Sequence, residues 1–236
     1  MRIGNFTSSE IGKLMSNGTK AGSIGATGIT YIAETNMERR LGRALENETN
    51  ARPTTWGNLC ERHVFSILGL EYSAISKECI RHPEIDFWWG TPDSIAYEGA
   101  TKIIVDVKAP YTLKSFCTLI DSFQAGGIKR VIETHKEGAI YYWQLVSNAI
   151  LTGCNTAELI VYAPYKSELQ RLREIANHDD IAWINYALDD ELPWLPDGGY
   201  YQNLNKLRFE IPEADKLALT ARVVEAGKSL VIPVLI

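Results

Sequence analysis

Hydrophobic and polar positions along the chain follow helical spacing in some segments and strand spacing in others. Apolar residues at helical spacing predict helices at 7–16, 29–41, 54–68, 112–136, 139–151 and 213–227. Runs rich in β-branched and aromatic residues predict strands or hairpin arms at 71–80, 87–89, 103–108, 157–162, 181–186 and 206–211. Helices and strands therefore alternate along the whole chain.

The ends of these elements and the segments between them carry their own signals. Thr7, followed three residues later by Glu10, forms a capping-box pattern that predicts a helix start with free N–H groups suited to a phosphate. The pair Gly126-Gly127 predicts a break in the fourth helix. Residues 17–28 are glycine-rich without a P-loop motif and predict a mobile loop, and residues 187–206 predict an acidic loop.

The strand at 103–108 combines an apolar pattern with two charges. Alternate side chains of a strand point to opposite faces, which places Ile104, Asp106 and Lys108 on one face and Val105 and Val107 on the other. A buried carboxylate and ammonium need partners, because leaving either charge without one is costly. Asp93, after a Thr-Pro turn, supplies a further carboxylate at the same end of the predicted hairpin.

Two helices also carry polar side chains where apolar ones are expected. Glu61 lies on the apolar face of its predicted helix, so its carboxylate needs a metal, a cation or a hydrogen-bond donor. Tyr141, Gln144 and Asn148 form a polar strip along an otherwise apolar helix. Because buried polar groups need partners, this strip is expected to face a site.

Composition narrows the class of protein without fixing its function. A chain of 236 residues is long enough to bury a substantial core as one domain. Its net charge of −5 excludes a strongly basic coat for nucleic acid, although a local positive surface remains compatible with it. Four scattered cysteines, with no Cys-x-x-Cys pair, no signal peptide and no membrane-length apolar run, predict a soluble protein of the reducing cytoplasm.

The acidic and basic residues of the central stretch stand in an order known from one nuclease superfamily. Pro92-Asp93, a spacer and then Asp106-Val107-Lys108 resemble the PD-(D/E)XK motif. Further motifs resemble, in order, those of the phage-lambda-type exonucleases, the viral alkaline exonucleases used in recombination. These motifs are Thr7-Ser8-Ser9-Glu10, Trp56-Gly57 with Glu61, Thr91-Pro92-Asp93, Asp106 to Thr112, and Tyr141 to Gly153 with Gln144.

This resemblance implies an α/β (α+β) fold with a PD-(D/E)XK restriction-endonuclease-like core, in which helices flank a central mixed β-sheet. It covers residues 1–165 of a single nuclease domain. Residues 166–206 are interpreted as an insertion, and residues 207–236 as a C-terminal strand and helix.

The resemblance also assigns roles to individual residues. Asp93, Asp106, Glu61 and the carbonyl of Val107 are implied to bind Mg²⁺, with two ions to a site and Mn²⁺ as a substitute. Lys108 is implied to orient or activate the attacking water, and Gln144 to help position it. The remaining implied site is a pocket for the 5′-phosphate of the cut strand, formed by Arg2, Ser9 and Thr91.

The implied activity is Mg²⁺-dependent 5′→3′ exonuclease cleavage of double-stranded DNA ends in phage-type recombination. A trimeric ring around DNA and a single-strand annealing protein as partner follow from the same resemblance, as does the cytoplasm of a bacterial host. Three other interpretations remain open: another nuclease of this fold, such as a restriction-type endonuclease or a RecB-like domain, a DNA-binding protein with a degenerate site, and a purely structural Asp-x-Lys ion pair.

Overall fold

The computed structural model describes residues 3–20, 22–45, 51–69, 71–74 and 79–233. The helices in these ranges are α1 (Ala26–Leu41), α2 (Arg52–Ile67), α3 (Leu113–Thr134), α4 (Gly138–Thr152), α5 (Leu169–His178), α6 (Ala182–Tyr186) and α7 (Glu213–Gly227). The strands are β1 (Phe6–Thr7), β2 (Tyr72–Ala74), β3 (Ile80–Arg81), β4 (Trp88–Gly90), β5 (Ser94–Glu98), β6 (Thr101–Lys108), β7 (Thr156–Tyr162) and β8 (Leu204–Glu210). Short 3₁₀ helices lie at Ile11–Met15, Lys166–Glu168 and Asp189–Glu191.

Within the described residues, β6 lies at the centre of a five-stranded mixed sheet with the order β2-β5-β6-β7-β8. It pairs antiparallel with β5 across the turn at Gly99 and parallel with β7, where Asp106 lies opposite Leu159. A parallel pair needs a long crossover connection, and α3 and α4 supply it. The predicted mixed sheet flanked by helices is confirmed.

The alternation predicted for β6 separates two hydrophobic layers. Ile104 belongs to a core cluster that includes Phe116 of α3 and Leu145 of α4. Val105 and Val107 belong to a second cluster, with side chains from α2, α5 and α6. Residues 166–206, interpreted as an insertion, therefore contribute to the core on the second face of the sheet.

A small three-stranded sheet, in the order β1-β4-β3, lies beside the main one in the described part of the chain. β1 pairs parallel with β4, so that Phe6 lies opposite Trp88 and Thr7 opposite Trp89. This pairing brings the amino-terminal segment next to the residues that precede Asp93.

Several boundaries agree with the sequence. α7 has the predicted bounds, and α1, α2, α4, β6 and β7 differ from their predicted ranges by at most three residues at either end. The predicted break in α3 is real, because Gly126 and Gly127 have non-helical backbone angles and Gly127 has φ of +66°.

Two predictions from local sequence signals were wrong. Thr7 does not cap a helix but ends β1, because its N–H donates to the Tyr31 hydroxyl and the Ser8 N–H donates to Trp89. The following segment is a 3₁₀ helix at Ile11–Met15 with no side-chain cap. The predicted strand at 181–186 is the helix α6, a short apolar run for which periodicity cannot separate the two states.

Two further ranges were only partly right. Of the predicted arm at 71–80, β3 pairs with β4 as a hairpin, whereas β2 joins the main sheet, and residues 75–78 lie outside the described residues. The loop predicted at 17–28 is shorter, since α1 begins at Ala26 and Asn17 and Ile24 form an isolated β-bridge. In the part of the chain that the structure describes, none of the helices has an apolar stretch of membrane-spanning length.

Candidate active site

Asp106 and Lys108 lie together at the end of β6. The Asp106 side chain is fully buried, and its Oδ2 atom lies 2.7 Å from Lys108 Nζ. Lys108 keeps about a fifth of its side chain exposed. Burial lowers the pKa of the Lys108 ammonium, but the carboxylates of Asp106 and Asp93 outweigh it, and the net pKa is raised. Lys108 is therefore a retained positive charge at an opening to solvent.

Gln144 joins this pair from α4. Its Nε2 donates to Asp106 Oδ1 at 2.7 Å, and its Oε1 accepts from Lys108 Nζ at 3.2 Å. The Gln144 amide thus contacts both charged groups. Its orientation is defined, because the amide nitrogen must donate to the carboxylate and the amide oxygen must accept from the ammonium. The polar strip predicted on this helix does face a site at Gln144.

Asp93 enters the site from the segment that precedes β5. Its Oδ2 accepts from the Val107 backbone N–H at 2.8 Å, which ties this carboxylate to the strand that carries Asp106. Burial and then the negative charge of Asp106 hold the pKa of Asp93 well above its ordinary range, despite the opposing effect of Lys108. Two carboxylates are thus crowded together at one end of β6.

Glu61 approaches the same groups from α2. Its side chain is partly buried, and its negative charge contributes to the raised pKa values of Asp93 and Lys108. Together with Val107, Lys108 and Tyr141 it lines a cavity of about 210 Å³. The Tyr141 ring also lies against Lys108, with Nζ 5.1 Å from the ring centroid.

Ser9 and Thr91 meet at another cavity beside Asp93 and Gln144. This end cavity of about 160 Å³ is lined by Thr7, Ser8, Ser9, Gly90, Thr91, Asp93 and Gln144. The two hydroxyl residues predicted for phosphate binding therefore lie at one opening with two of the predicted cleavage residues. Arg2, the third residue predicted for that pocket, lies outside the described residues.

The sequence did not single out the side chains that support the end cavity. Ser147 Oγ accepts from Trp88 Nε1 at 2.8 Å and shares a hydrogen bond of 2.8 Å with Ser8 Oγ. Trp88 is fully buried, and the need of its indole N–H for a partner was the available signal. Asn148, predicted to face a site, is fully buried, and neither amide atom has a hydrogen-bond partner among the described residues.

The oxygen atoms at the site are chemically suited to bind a hard divalent cation. Asp106 Oδ2 makes an ion pair with Lys108 but no hydrogen bond of good geometry to any described residue, and a second carboxylate, Asp93, lies beside it. Carboxylate and carbonyl oxygens are the ligands that Mg²⁺ prefers. In the described ranges, however, no group of three or more His, Cys, Asp and Glu side chains is arranged to hold a metal ion. The predicted ligand set therefore stays a prediction.

No protein-family model and no curated protein sequence matches the chain. Several solved structures are similar to it. The crystal structure of an alkaline exonuclease (LHK-Exo) from Laribacter hongkongensis has a TM-score of 0.60 and 18% identity, with 96% of this chain and 88% of that chain covered. The same enzyme in complex with dAMP has a TM-score of 0.59 and 19% identity, with the same coverage.

A phage-related exonuclease from Haemophilus somnus 129PT has a TM-score of 0.67 and 18% identity, covering 95% of this chain and 92% of that chain. At this level of identity the likeness concerns the fold, and it extends over nearly the whole chain. The chain accordingly shares the fold of alkaline and phage-related exonucleases, as its sequence motifs predicted.

Proposed function

We propose that the protein is a Mg²⁺-dependent 5′→3′ exonuclease that acts on double-stranded DNA ends. One observation carries the proposal: Asp106, Lys108 and Gln144 form a bonded cluster beside Asp93, next to a cavity that presents Ser9 and Thr91. A nuclease of this fold needs acidic side chains, a lysine beside them and a cavity that holds the DNA strand. The exonuclease structures with the same fold support this interpretation.

The chain's own residues can carry out most of the work of phosphodiester hydrolysis. Lys108 presents a fixed positive charge where negative charge develops on the phosphate, and a charge placed before the reaction costs no reorganisation. Gln144 and Asp106 hold that ammonium in place. Asp93, Asp106, Glu61 and the Val107 carbonyl are the proposed Mg²⁺ ligands. When bound, Mg²⁺ lowers the pKa of water and neutralises charge on the phosphate.

The end cavity is the feature that supports the proposed polarity. Ser9 and Thr91 can donate hydroxyl hydrogen bonds to a terminal phosphate, and Arg2 is proposed to supply its countercharge. A strand held by its 5′-phosphate next to Asp93 and Gln144 is cut near that end. One of the exonucleases with this fold is known in complex with dAMP, a nucleotide that carries a phosphate.

Assembly follows from the resemblance and is proposed with the activity. A trimeric ring would encircle the duplex and keep the enzyme on it between cuts, and a single-strand annealing protein would receive the strand left behind. Sedimentation of the 26.4 kDa chain tests the ring, because a trimer has three times the monomer mass. A monomer at micromolar concentration would contradict it.

Linear and closed circular duplexes separate the proposal from its nearest alternative. We expect digestion of the linear duplex with Mg²⁺, no digestion with EDTA, and no attack on the closed circle, because an exonuclease needs an end. Linearisation of the circle would instead indicate a restriction-type endonuclease. Binding of both DNAs without any metal-dependent cleavage would indicate a DNA-binding protein with a degenerate site.

A further inference from the structure

A chain of buried hydrogen bonds connects the end cavity to α4. Trp88 Nε1 donates to Ser147 Oγ, and Ser147 Oγ is bonded to Ser8 Oγ, each at 2.8 Å. Trp88 and Ser147 are fully buried, and Ser8 keeps 2% of its surface. An indole nitrogen can only donate, so Ser147 must accept from Trp88. Ser147 is the shared partner of two segments that are distant in sequence.

Both segments lead directly to the hydroxyls of the end cavity. Ser8 precedes Ser9, and Trp88 begins the strand β4 that ends just before Thr91. Their backbones are already paired, since the Ser8 N–H donates to the Trp89 carbonyl at 2.9 Å. This pairing fixes the two segments to each other but not to the helix that carries Gln144.

The backbone at Gly90 shows how closely these segments pack. A Cβ atom at Gly90 would lie 2.2 Å from Ser8 Oγ and 2.6 Å from Asn148 Oδ1. Real Cβ atoms do not approach other atoms so closely, so only glycine at position 90 leaves the space that the Ser8 side chain occupies.

The same helix carries the contact to the cleavage residues. Gln144 precedes Ser147 by three residues, a spacing that places the two side chains on neighbouring parts of one helix face. Gln144 bonds Asp106 and Lys108, whereas Ser147 bonds the segments of Ser9 and Thr91. One turn of α4 thus spans both halves of the site.

We infer that Ser147 is a positioning residue that sets the location of Ser9 and Thr91 relative to Asp106 and Lys108. It acts through Ser8 and Trp88. The inference rests on the proposed function, because it assumes that the end cavity binds the 5′-phosphate. Its consequence is that Ser147 controls the preference for phosphorylated ends more than it controls cleavage itself.

A double-mutant cycle tests this inference. The quantity measured is kcat/KM on a duplex with a 5′-phosphate divided by kcat/KM on the same duplex with a 5′-hydroxyl. We expect Ser147→Ala and Ser8→Ala each to lower this ratio by about fivefold to tenfold, the factor that corresponds to one misplaced neutral hydrogen bond. The double variant should lower it no further than Ser147→Ala alone, because the bond between Ser8 and Ser147 is already lost in that variant.

Ser122→Ala is the matched control. Ser122 is also a buried helical serine with a side-chain bond, to Thr134 Oγ1 at 2.7 Å, but it lines neither cavity of the site. Its variant should change thermal stability and leave the ratio unchanged. Ser147→Thr, which retains a hydroxyl, should recover much of the preference.

The outcomes separate this inference from the proposed function. The ratio could stay at the parental value in Ser8→Ala and Ser147→Ala while their melting temperatures fall. This result would show that Ser147 has only a structural role, and it would leave the proposed function intact. Equal cleavage of the two duplexes by the parent protein would refute the phosphate pocket and the inference with it. A parent protein that cuts neither duplex would refute the proposed function.

Discussion

Asp106 is the residue whose environment demands most explanation. A fully buried carboxylate is costly unless charge and hydrogen bonds compensate for it, and here Lys108 and Gln144 do so. Lys108 is in turn held against the Tyr141 ring, and Gln144 contacts Lys108 as well as Asp106. The site is therefore arranged before any substrate binds.

Lys108→Ala tests the role of the ammonium. We expect DNA digestion to fall by about a hundredfold or more, because a preplaced charge that stabilises the transition state is removed. Lys102→Ala is the matched control, since Lys102 lies on the same strand six residues earlier and is exposed. Circular dichroism checks that both variants are folded. Parental cleavage by Lys108→Ala would refute the proposed role of this lysine.

At the scale of elements, the two glycines in the middle of α3 determine its shape. Gly126 and Gly127 both have non-helical backbone angles, so the helix is interrupted rather than continuous. Gly127 combines φ of +66° with ψ of −159°, a region essentially restricted to glycine, where a side chain costs about 1–3 kcal/mol. The interruption is thus encoded by the glycine pair itself.

Gly127→Ala should therefore lower the free energy of unfolding by about 1–3 kcal/mol. Gly57→Ala is the opposite case, because Gly57 lies inside α2 and a Cβ there meets no atom within 4 Å. It should raise the free energy of unfolding by about 0.5–1 kcal/mol, through helix propensity. Urea unfolding measures the free energy of unfolding of both variants. If both substitutions changed it by the same amount in the same direction, the explanation from backbone conformation would be contradicted.

Elements with a strong periodicity of apolar positions were predictable from the sequence. Elements that depend on tertiary contacts were not. The alternation along β6 identified Asp106 and Lys108 as neighbours on one face, and the helical spacing of α2 and α4 pointed to Glu61 and Gln144. The capping-box pattern at Thr7 failed because Tyr31, distant in sequence, accepts its N–H bond. No local sequence pattern predicts such a partner.

The same limit applies to the site. Ser9 and Thr91 were placed in one pocket by resemblance, and the pairing of β1 with β4 supplies the physical reason they meet. Ser147 carries no sequence signal, because a serine on an apolar helix is compatible with many partners. Its importance comes from Trp88 and Ser8, which only the fold brings to it.

At the scale of the molecule, one buried carboxylate joins four strands of the main sheet. Glu158 of β7 accepts from the Tyr72 hydroxyl at 2.5 Å and from Arg208 Nε at 2.9 Å. Arg208 continues to Glu98 of β5 at 2.8 Å. Glu158 is 1% exposed, whereas Glu98 lies at the surface. The sheet that presents Asp106 is thus stabilised by this network.

Glu158→Ala should lower the free energy of unfolding by about 1.5–3 kcal/mol, because it removes the buried acceptor of the Arg208 and Tyr72 hydrogen bonds. Glu98→Ala removes only the exposed arm of the same network and should cost less than about 1 kcal/mol. Denaturant unfolding of the two variants gives the comparison. A loss for Glu158→Ala no larger than for Glu98→Ala would show that the buried network contributes little.

Cleavage from a phosphorylated end is the central claim, and one digestion tests it most directly. A linear duplex carrying either a 5′-phosphate or a 5′-hydroxyl is incubated with the protein in Mg²⁺ or in EDTA. We expect the phosphorylated duplex to be degraded faster, only with Mg²⁺, and Arg2→Ala to abolish the difference. Equal degradation of both duplexes, or degradation in EDTA, would contradict the proposal.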